Sequence, residues 1–192
     1  MRHDLELTAG DIRLVPLAVE HAAALRALVD DEIWAGTVVP LPRTDADMGE
    51  LVQTHLDAPD RYAFAVTDAL TGEVRGQTTF YDVVLAQGRC EVGNTFYGRR
   101  WWGGSTNPAA KLAMLTHAFD RWGMHRVAFR ADARNARSLA ALARLGAVRE
   151  GALRGHRLAA DGTRQDSVYF SVLASEWPAV RSGLEGRLDA LV

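Results

Sequence analysis

The sequence is poor in cysteine and has no long apolar run. Cys90 is the single cysteine among 192 residues, which excludes an internal disulfide and a cysteine-based zinc site. No apolar run approaches the roughly 18 residues that a membrane-spanning helix needs. The first residues are polar and acidic, where a secretory signal would be basic and then apolar. These absences predict a soluble, reduced, cytoplasmic protein without a membrane partner.

The net charge is small, but the charges are unevenly distributed. Lys and Arg total 22 against 24 Asp and Glu, so the net charge of -2 does not favour nucleic acid as a partner. Residues 1–60 carry twelve acids and four arginines, whereas residues 121–164 carry ten arginines and three acids. One end would attract a cation and the other an anion. The alternative is that the arginines, 21 of the 22 basic residues, only form a solvated surface.

Length and periodicity predict one α/β domain over residues 1–192, with elements in the order βαα, βββ, α, β, α, ββ, α. A hydrophobic content of 48% is enough for an ordinary core. Strands are predicted at Ile12–Leu17, Tyr62–Asp68, Glu73–Leu85, Arg89–Tyr97, Arg126–Ala131, Val148–Leu158 and Gln165–Leu173, the last two joined through Asp161-Gly162. Helices are predicted at Val19–Trp34, Asp45–Leu56 with Thr44 as cap, Pro108–Trp122, Asn135–Leu145, and after Ser175 as cap.

The segment EVGNTFYGRRWWGGSTNPAAK, residues 91–111, predicts a strand, a glycine loop and the start of a helix. About four N–H groups at the start of a helix have no partner within it, so a tight loop before a helix forms an anion site. Gly103 and Gly104 allow close approach of a ligand. Side-chain donors and positive charge would come from Ser105, Thr106, Asn107, Arg99 and Arg100. The segment therefore predicts a phosphate site.

With this segment, the stretches DARNARSLAALARLGAVREGALR and DSVYFSVLASEW resemble the Gcn5-related N-acetyltransferases (GNAT), in the RimJ/RimL-like protein N-acetyltransferase branch. The acyl-CoA loop pattern of the family is Gln or Arg, two residues, Gly, one residue, then Gly or Ala. Residues 100–105, RWWGGS, match it except that Ser105 takes the last position, and Ala109 stands where relatives often have Glu. The resemblance covers essentially the whole chain. It implies an α/β (α+β) fold with a mixed, mostly antiparallel, splayed sheet flanked by helices.

The resemblance implies acetyl-CoA as cosubstrate and no metal. The loop would hold its pyrophosphate, Trp102 would touch CoA, and backbone N–H groups near Thr95, Phe96 and Tyr97 would pair with the pantetheine arm. Asn135 would donate a hydrogen bond to the same arm; the alternative is that Asn135 only caps a helix. The histidines outside the candidate site show no metal-ligand spacing.

The implied reaction is direct transfer of the acetyl group to a primary amine, without a covalent intermediate. Ser138, three residues after Asn135 on one helical face, stands where relatives place the group that protonates the thiolate. Candidates for the base are Glu91, His156 and Tyr169, and a water chain is a fourth possibility. Their structural alternatives are a surface charge, a hydrogen-bonded wall residue and a core aromatic, respectively.

The branch resemblance favours a protein N-terminal amine as the acceptor. A small-molecule amine such as an antibiotic or polyamine stays open, because the acidic residues 1–60 would attract any cation. A different class of hypothesis is a non-catalytic acyl-CoA-binding sensor, motivated by Ala109 and by the unassigned base. A nucleic-acid binder using the arginines of residues 121–164 is a further alternative. The resemblance also allows a homodimer through the C-terminal strands and helix.

Overall fold

The computed structural model describes residues 2–35, 37–159 and 162–191, and within them an eight-stranded sheet forms the centre. The strands are β1 Leu7–Ala9, β2 Ile12–Pro16, β3 Tyr62–Asp68, β4 Val74–Val84, β5 Arg89–Tyr97, β6 Arg126–Asp132, β7 Val148–Leu158 and β8 Arg164–Leu173. Their order across the sheet is β1-β2-β3-β4-β5-β6-β8-β7. All neighbours are antiparallel except β5 and β6, which are parallel.

Helices cover both faces of the sheet. They are α1 Ala22–Leu28, α2 Asp31–Trp34, α3 Asp45–Asp57, α4 Thr106–Thr116, α5 Ala136–Leu145 and α6 Trp177–Asp189. One hydrophobic cluster joins α4, α5 and α6 to the sheet through fully buried side chains such as Phe80, Met114 and Phe129. A second cluster, around Leu25 and Val52, lies under α1, α2 and α3. Among the described residues, no helix has the length and apolar character needed to cross a bilayer.

The parallel pair β5–β6 separates after three residues. Arg89 pairs with Arg126, Cys90 with Val127 and Glu91 with Ala128, and the ladder within the described residues ends there. On its other side β5 stays paired with β4, but the register shifts by one residue around Asn94, which has a left-handed φ of 47°. Such a bulge bends the strand. The result is a wedge-shaped opening between the second half of β5 and the second half of β6, which confirms the splayed sheet that the resemblance implied.

Most predicted elements are confirmed, but the predicted helix Val19–Trp34 is wrong. A 3₁₀ turn at Val19–His21 leads into α1, and the chain becomes extended at Val29 before α2 begins. The Asp30 carboxylate accepts hydrogen bonds from the N–H groups of Glu32 and Ile33. An aspartate in this position starts a new helix, so one predicted helix becomes two.

Other differences lie at the ends of elements. Strand β1 was not predicted, because its three residues are too few for a periodic pattern. Helix α4 begins at Thr106 rather than at Pro108. A helix tolerates proline in its first turn, because a backbone N–H at that position would have no partner within the helix. Ser175 is not the cap of α6; that position is held by Glu176. Asp161 of the predicted Asp161-Gly162 turn lies outside the described residues.

Candidate active site

The glycine loop exposes the backbone at the start of α4. A 3₁₀ turn at Arg99–Trp101 follows β5, and Gly103 then adopts φ 76°, a conformation that favours glycine. Among the described residues, no atom lies within 4 Å of the position that a Cβ on Gly103 would take. The Ala109 N–H donates to the Ser105 carbonyl at 2.9 Å. The N–H groups before Ala109 have no carbonyl to bond within the helix. The loop therefore has room and donors for an anion.

A buried arginine that sequence reasoning missed holds this loop from behind. Arg75 is 4% exposed, donates to Asp11 at 2.7 Å and to the Thr106 hydroxyl at 3.2 Å, and pairs with Asp68. Ser105 donates its hydroxyl to Asp11 at 3.1 Å. The hydroxyls of Thr106 and Ser105 thus face internal partners, so the loop offers an anion mainly its backbone.

The carboxylates around Arg75 are held in their ionised form. Hydrogen bonds from the Thr71 N–H and from Arg75 keep the pKa of Asp68 well below its usual range. Partial burial acts to raise the pKa of Asp11, but the hydrogen bonds from Arg75 and Ser105 outweigh it and lower that pKa. The cluster is therefore an ionic anchor for the start of α4.

The two arginines predicted to bind phosphate are already paired with acids. Arg99 donates to Asp30 at 2.7 Å and to Glu32 at 2.6 Å, and Arg100 pairs with Glu73. Their partners lie far away in the sequence, and the sequence carries no signal for these pairs. Arg99 and Arg100 thus contribute less free positive charge to the loop than the sequence predicts.

Arg137 is the cation beside the loop that makes no ion pair with any described residue. Its guanidinium carbon lies 3.4 Å from the centre of the Trp102 ring, a close stacking contact. Trp102 is itself fixed, because its indole N–H donates to the Tyr97 carbonyl at 2.8 Å. Burial lowers the pKa of Arg137. This contact connects the glycine loop to the start of α5 across the opening between β5 and β6.

The predicted pantetheine strand lines one side of that opening. Tyr97 and Phe96 pair with Gly76 and Gln77 of β4, so their other edge faces the opening. The Phe96 ring packs 5.5 Å from the Trp34 ring, while the Tyr97 side chain is buried in the opposite cluster. Asn107, also predicted to bind the cofactor, is half-buried in the first turn of α4. The edge of the strand, rather than its side chains, is what a ligand would meet.

Asn135 and Ser138 lie together at the start of α5. The Asn135 side-chain oxygen accepts a hydrogen bond from the Ser138 N–H at 2.9 Å, so Asn135 is the N-cap of the helix. The capping bond uses the carbonyl oxygen and leaves the amide NH₂ able to donate to a ligand. The Ser138 side chain is half-buried. Their cofactor-binding and acid roles stay predictions.

Three candidate bases lie on the face of the sheet opposite α4. Arg130 of β6 lies 3.3 Å from the Glu91 carboxylate and donates to the Tyr169 hydroxyl at 3.1 Å and to the Tyr81 hydroxyl at 3.0 Å. His156 has its ring 6.0 Å from that of Tyr169. Sequence reasoning missed Arg130, although the alternation in RVAFRA places it opposite the core residues Val127 and Phe129.

The environments of these groups differ. Burial, assisted by the nearby Glu91 charge, raises the pKa of Tyr81. The His156 ring nitrogen Nδ1 lies 3.0 Å from the Ser167 hydroxyl, which leaves Nε2 as its other polar atom. Burial raises the pKa of the Cys90 thiol to about 12, so this cysteine is protonated and unsuited to nucleophilic attack.

A cleft of about 650 Å³ opens between α2, the start of α5 and the end of the β7–β8 hairpin. Its walls include Asp31, Glu32, Trp34, Asp132, Asn135 and Arg137. Acidic side chains thus lie on the α2 side, whereas the α5 side carries Arg137 together with Asp132 at the end of β6. Within the described parts of the chain, no group of three or more histidine, cysteine or acidic side chains is arranged to hold a metal ion.

Comparisons with known proteins agree on one family. A family model described as "Acetyltransferase (GNAT) domain" matches residues 11–148. A crystal structure of an inferred acetyltransferase from T. thermophilus is 36% identical, with a TM-score of 0.89 over 98% of this chain and all of that one. A GCN5-related N-acetyltransferase from Brucella melitensis is 28% identical, with a TM-score of 0.88 over 97% of this chain and 88% of the other.

A further solved structure supports the fold alone. RimJ from Mycobacterium smegmatis, in complex with CoA-disulfide, is 24% identical, with a TM-score of 0.76 over 95% of this chain and 94% of that one. No protein with a curated function matches the sequence significantly.

Proposed function

Because the chain belongs to the GNAT N-acetyltransferases, whose fold uses acetyl-CoA, we propose that it transfers an acetyl group from acetyl-CoA to a protein N-terminal amine. The observation that carries this proposal is the opening between β5 and β6, which starts beyond Glu91 and Ala128. It lies beside the glycine loop at the start of α4. An extended arm that ends in a pyrophosphate matches that combination of a strand edge and an anion site.

The residues present fit acetyl-CoA. The backbone at Gly103, Gly104 and the first turn of α4 would receive the pyrophosphate, and the free edge of β5 at Thr95–Tyr97 would pair with the amides of the pantetheine arm. The Asn135 amide NH₂ would donate to the same arm. Arg137 would take the phosphate role predicted for Arg99 and Arg100, since it is not held by an acid. Bound there, acetyl-CoA supplies the activated acyl group.

The chemistry requires a neutral amine, a polarised carbonyl and a proton for the departing thiolate. N–H groups at the bulge of β5 around Asn94 would polarise the carbonyl. Ser138 would donate the proton to the thiolate from the start of α5. Glu91 is our first choice as base because it is the last paired residue of β5 before the opening, and Arg130 would position its carboxylate. His156 and Tyr169 line the same face of the sheet and would act through water.

The 650 Å³ cleft supports a peptide amine as acceptor. It leads from solvent to Asn135. Asp31 and Glu32 at its wall are paired with Arg43 and Arg99 through one carboxylate oxygen each, so their other oxygens would accept hydrogen bonds from an ammonium group. The resemblance of the sequence to the RimJ/RimL-like branch favours the protein N-terminus. The same acidic wall would accept a small polyamine, which is the second candidate acceptor. We further propose a homodimer that uses the C-terminal strands and helix.

An assay of thiol release from acetyl-CoA, with peptides of varied N-termini and with small amines, tests the proposal. We expect release that depends on the acceptor and is fastest with peptides. Faster release with polyamines would move the acceptor to the small-molecule class. Tight binding of CoA without release across the panel would favour the sensor hypothesis instead.

The variant Ser138→Ala tests the acid role. We expect kcat to fall at least about tenfold, because loss of an acid-base group usually costs a hundredfold or more when water cannot replace it. The dissociation constant of acetyl-CoA should stay within about twofold of the wild-type value. Ser182→Ala, which removes an exposed hydroxyl from α6, is the matched control. An unchanged kcat for Ser138→Ala would remove this residue from the reaction.

A further inference from the structure

Lys111 is the only lysine in the sequence, and it is buried in the middle of α4. The residue is 6% exposed. Its ammonium nitrogen lies 3.4 Å from the Thr95 hydroxyl oxygen and 5.8 Å from the centre of the Phe129 ring. It makes no ion pair within the described parts of the chain. The fold therefore buries a cation, and the described residues provide one weak acceptor for it.

Such an arrangement is energetically costly for the protein alone. A lysine ammonium has three donors, and burial without acceptors disfavours its charged form. Burial lowers the pKa of Lys111 to about 8, with no charged side chain contributing. A lysine that served only to fill space would be replaced at lower cost by methionine or leucine. The Lys111 ammonium instead keeps N–H donors that have no acceptor among the described residues.

The amine points into the opening between β5 and β6. Thr95 lies on β5 just after the bulge at Asn94, and Phe129 is the first residue of β6 beyond the last pair, Glu91 with Ala128. A nitrogen that contacts both residues lies between the strands where they have separated. The Thr95 hydroxyl is fixed in turn by the Thr78 hydroxyl, 2.8 Å away. The location of the amine is therefore well defined relative to the opening.

We propose that Lys111 is a binding residue for the acyl-pantetheine arm, donating a hydrogen bond from beneath the opening to one of its carbonyl oxygens. This inference rests on the proposed function, because the arm must lie between β5 and β6. Carbonyl oxygens of the two amides and of the thioester are the acceptors that such an arm offers. A hydrogen bond from Lys111 would fix how far the acyl group enters the opening between β5 and β6. It would thereby align the acyl carbon with the amine of the acceptor.

The test compares two ligands in isothermal titration calorimetry. Acetyl-CoA carries the arm, whereas 3′-phospho-ADP is the nucleotide half of CoA without it. For Lys111→Met we expect the dissociation constant of acetyl-CoA to rise about tenfold, since hydrogen bonds from charged donors are strong when buried. The constant for 3′-phospho-ADP should stay within about twofold. Arg187→Met, which removes one positive charge from the far end of α6, is the control and should change neither constant.

Thermal unfolding of the ligand-free variants provides a second readout. Lys111→Met should melt no lower than the wild type, because it removes a buried ammonium whose only hydrogen bond among the described residues is the weak one to Thr95. Lys111→Gln, which keeps a neutral donor, should recover part of the lost acetyl-CoA affinity.

Two outcomes would overturn the inference: an acetyl-CoA affinity of Lys111→Met equal to that of the wild type, whatever its melting temperature, or an equal loss of affinity for both ligands. If the wild type itself fails to bind acetyl-CoA, the proposed function fails instead, so the two failures are distinguishable.

Discussion

Two buried cations lie at the same helix, α4, and they differ in the acidic partners that the fold provides for them. Arg75 meets α4 at its first residue, Thr106, and is surrounded by Asp11, Asp68 and the Trp101 ring. Lys111 lies five residues further along, about 7.5 Å along the helix axis, and its one hydrogen-bond partner among the described residues is the Thr95 hydroxyl. The first region is complete within the protein. In the second region, the Lys111 ammonium would gain its further hydrogen-bond acceptors from a ligand. This difference distinguishes a structural ion cluster from a binding site.

The Arg75 cluster also explains how the anion loop is positioned. Asp11 follows β1, Asp68 ends β3, Arg75 is on β4 and Thr106 begins α4, so one guanidinium joins four segments. A guanidinium suits this task because it has five donors in a fixed planar arrangement. A lysine ammonium, which is a compact point charge, suits a single directed contact with a ligand. The choice of residue at each position matches its surroundings.

The largest expected effect is that of Arg75→Met on stability. Removing the guanidinium leaves the partly exposed carboxylates of Asp11 and Asp68 without their ionic partner, and we expect the free energy of unfolding to fall by about 2 kcal/mol through the lost charged hydrogen bonds. Urea denaturation measures this value. In Lys111→Met the same measurement should show no loss. A similar loss in both variants would remove the contrast between the two regions.

The loop that Arg75 supports should be sensitive at Gly103. Because Gly103 has φ 76°, Gly103→Ala should lower the free energy of unfolding by about 1 kcal/mol, although the space around it is open. Gly104→Ala is the matched control, since Gly104 is not left-handed, and it should cost less than about 0.5 kcal/mol. Urea denaturation of both variants distinguishes backbone strain from crowding. An equal cost at both positions would contradict the strained conformation at Gly103.

Acid should weaken the Arg75 cluster specifically. The pKa values of Asp68 and Asp11 are depressed in the folded protein, so their ion pairs add stability above the ordinary aspartate pKa of about 3.9, and this stability is lost as the pH falls towards the folded-state values. The difference in stability between wild type and Arg75→Met should therefore narrow between about pH 5 and pH 2.5. Urea titrations at several pH values check this, and a constant difference would contradict it.

The smallest expected effect on stability is that of Arg137→Met. Arg137 makes no ion pair with a described residue, so the free energy of unfolding should change by less than about 0.5 kcal/mol. The dissociation constants of acetyl-CoA and 3′-phospho-ADP should both rise about fivefold, because the contact that we propose for Arg137 is with a phosphate, which both ligands carry. Calorimetry on this variant and on Lys111→Met thus distinguishes the two unpaired cations by the part of the ligand each one binds. A loss confined to acetyl-CoA would contradict the phosphate role of Arg137.

Much of the fold could be predicted because its signals are local. The bounds of β3 and β5, the capping of α3 by Thr44 and the left-handed Gly146 that ends α5 follow from periodicity and from cap preferences within a few residues. The break at Asp30 was missed because alanine and leucine continue the helical pattern across it, while the capping bonds of one carboxylate end it. The mixed, mostly antiparallel and splayed character of the sheet came from the family resemblance rather than from local signals.

The candidate site was predictable in its location but not in its contacts. The sequence indicated the loop at Gly103, and Asn135 and Ser138 as neighbours on α5, because spacing along a helix or loop determines both. It did not indicate that Arg99 is paired with Asp30, 69 residues away. The charge of a side chain can be read from the sequence, but whether an acid already neutralises it depends on long-range packing.

By itself, the sequence determined the family, the glycine loop before α4 and the residues at the start of α5, since these depend on residue types at fixed spacings. Only the tertiary structure decided which arginine and lysine side chains have an acidic partner. Sheet pairing brings Arg130 to Glu91 and Tyr169, and the bulge in β5 places Thr95 above Lys111. The physical reason is that burial and the distance between charges arise only when strands and helices remote in sequence pack together.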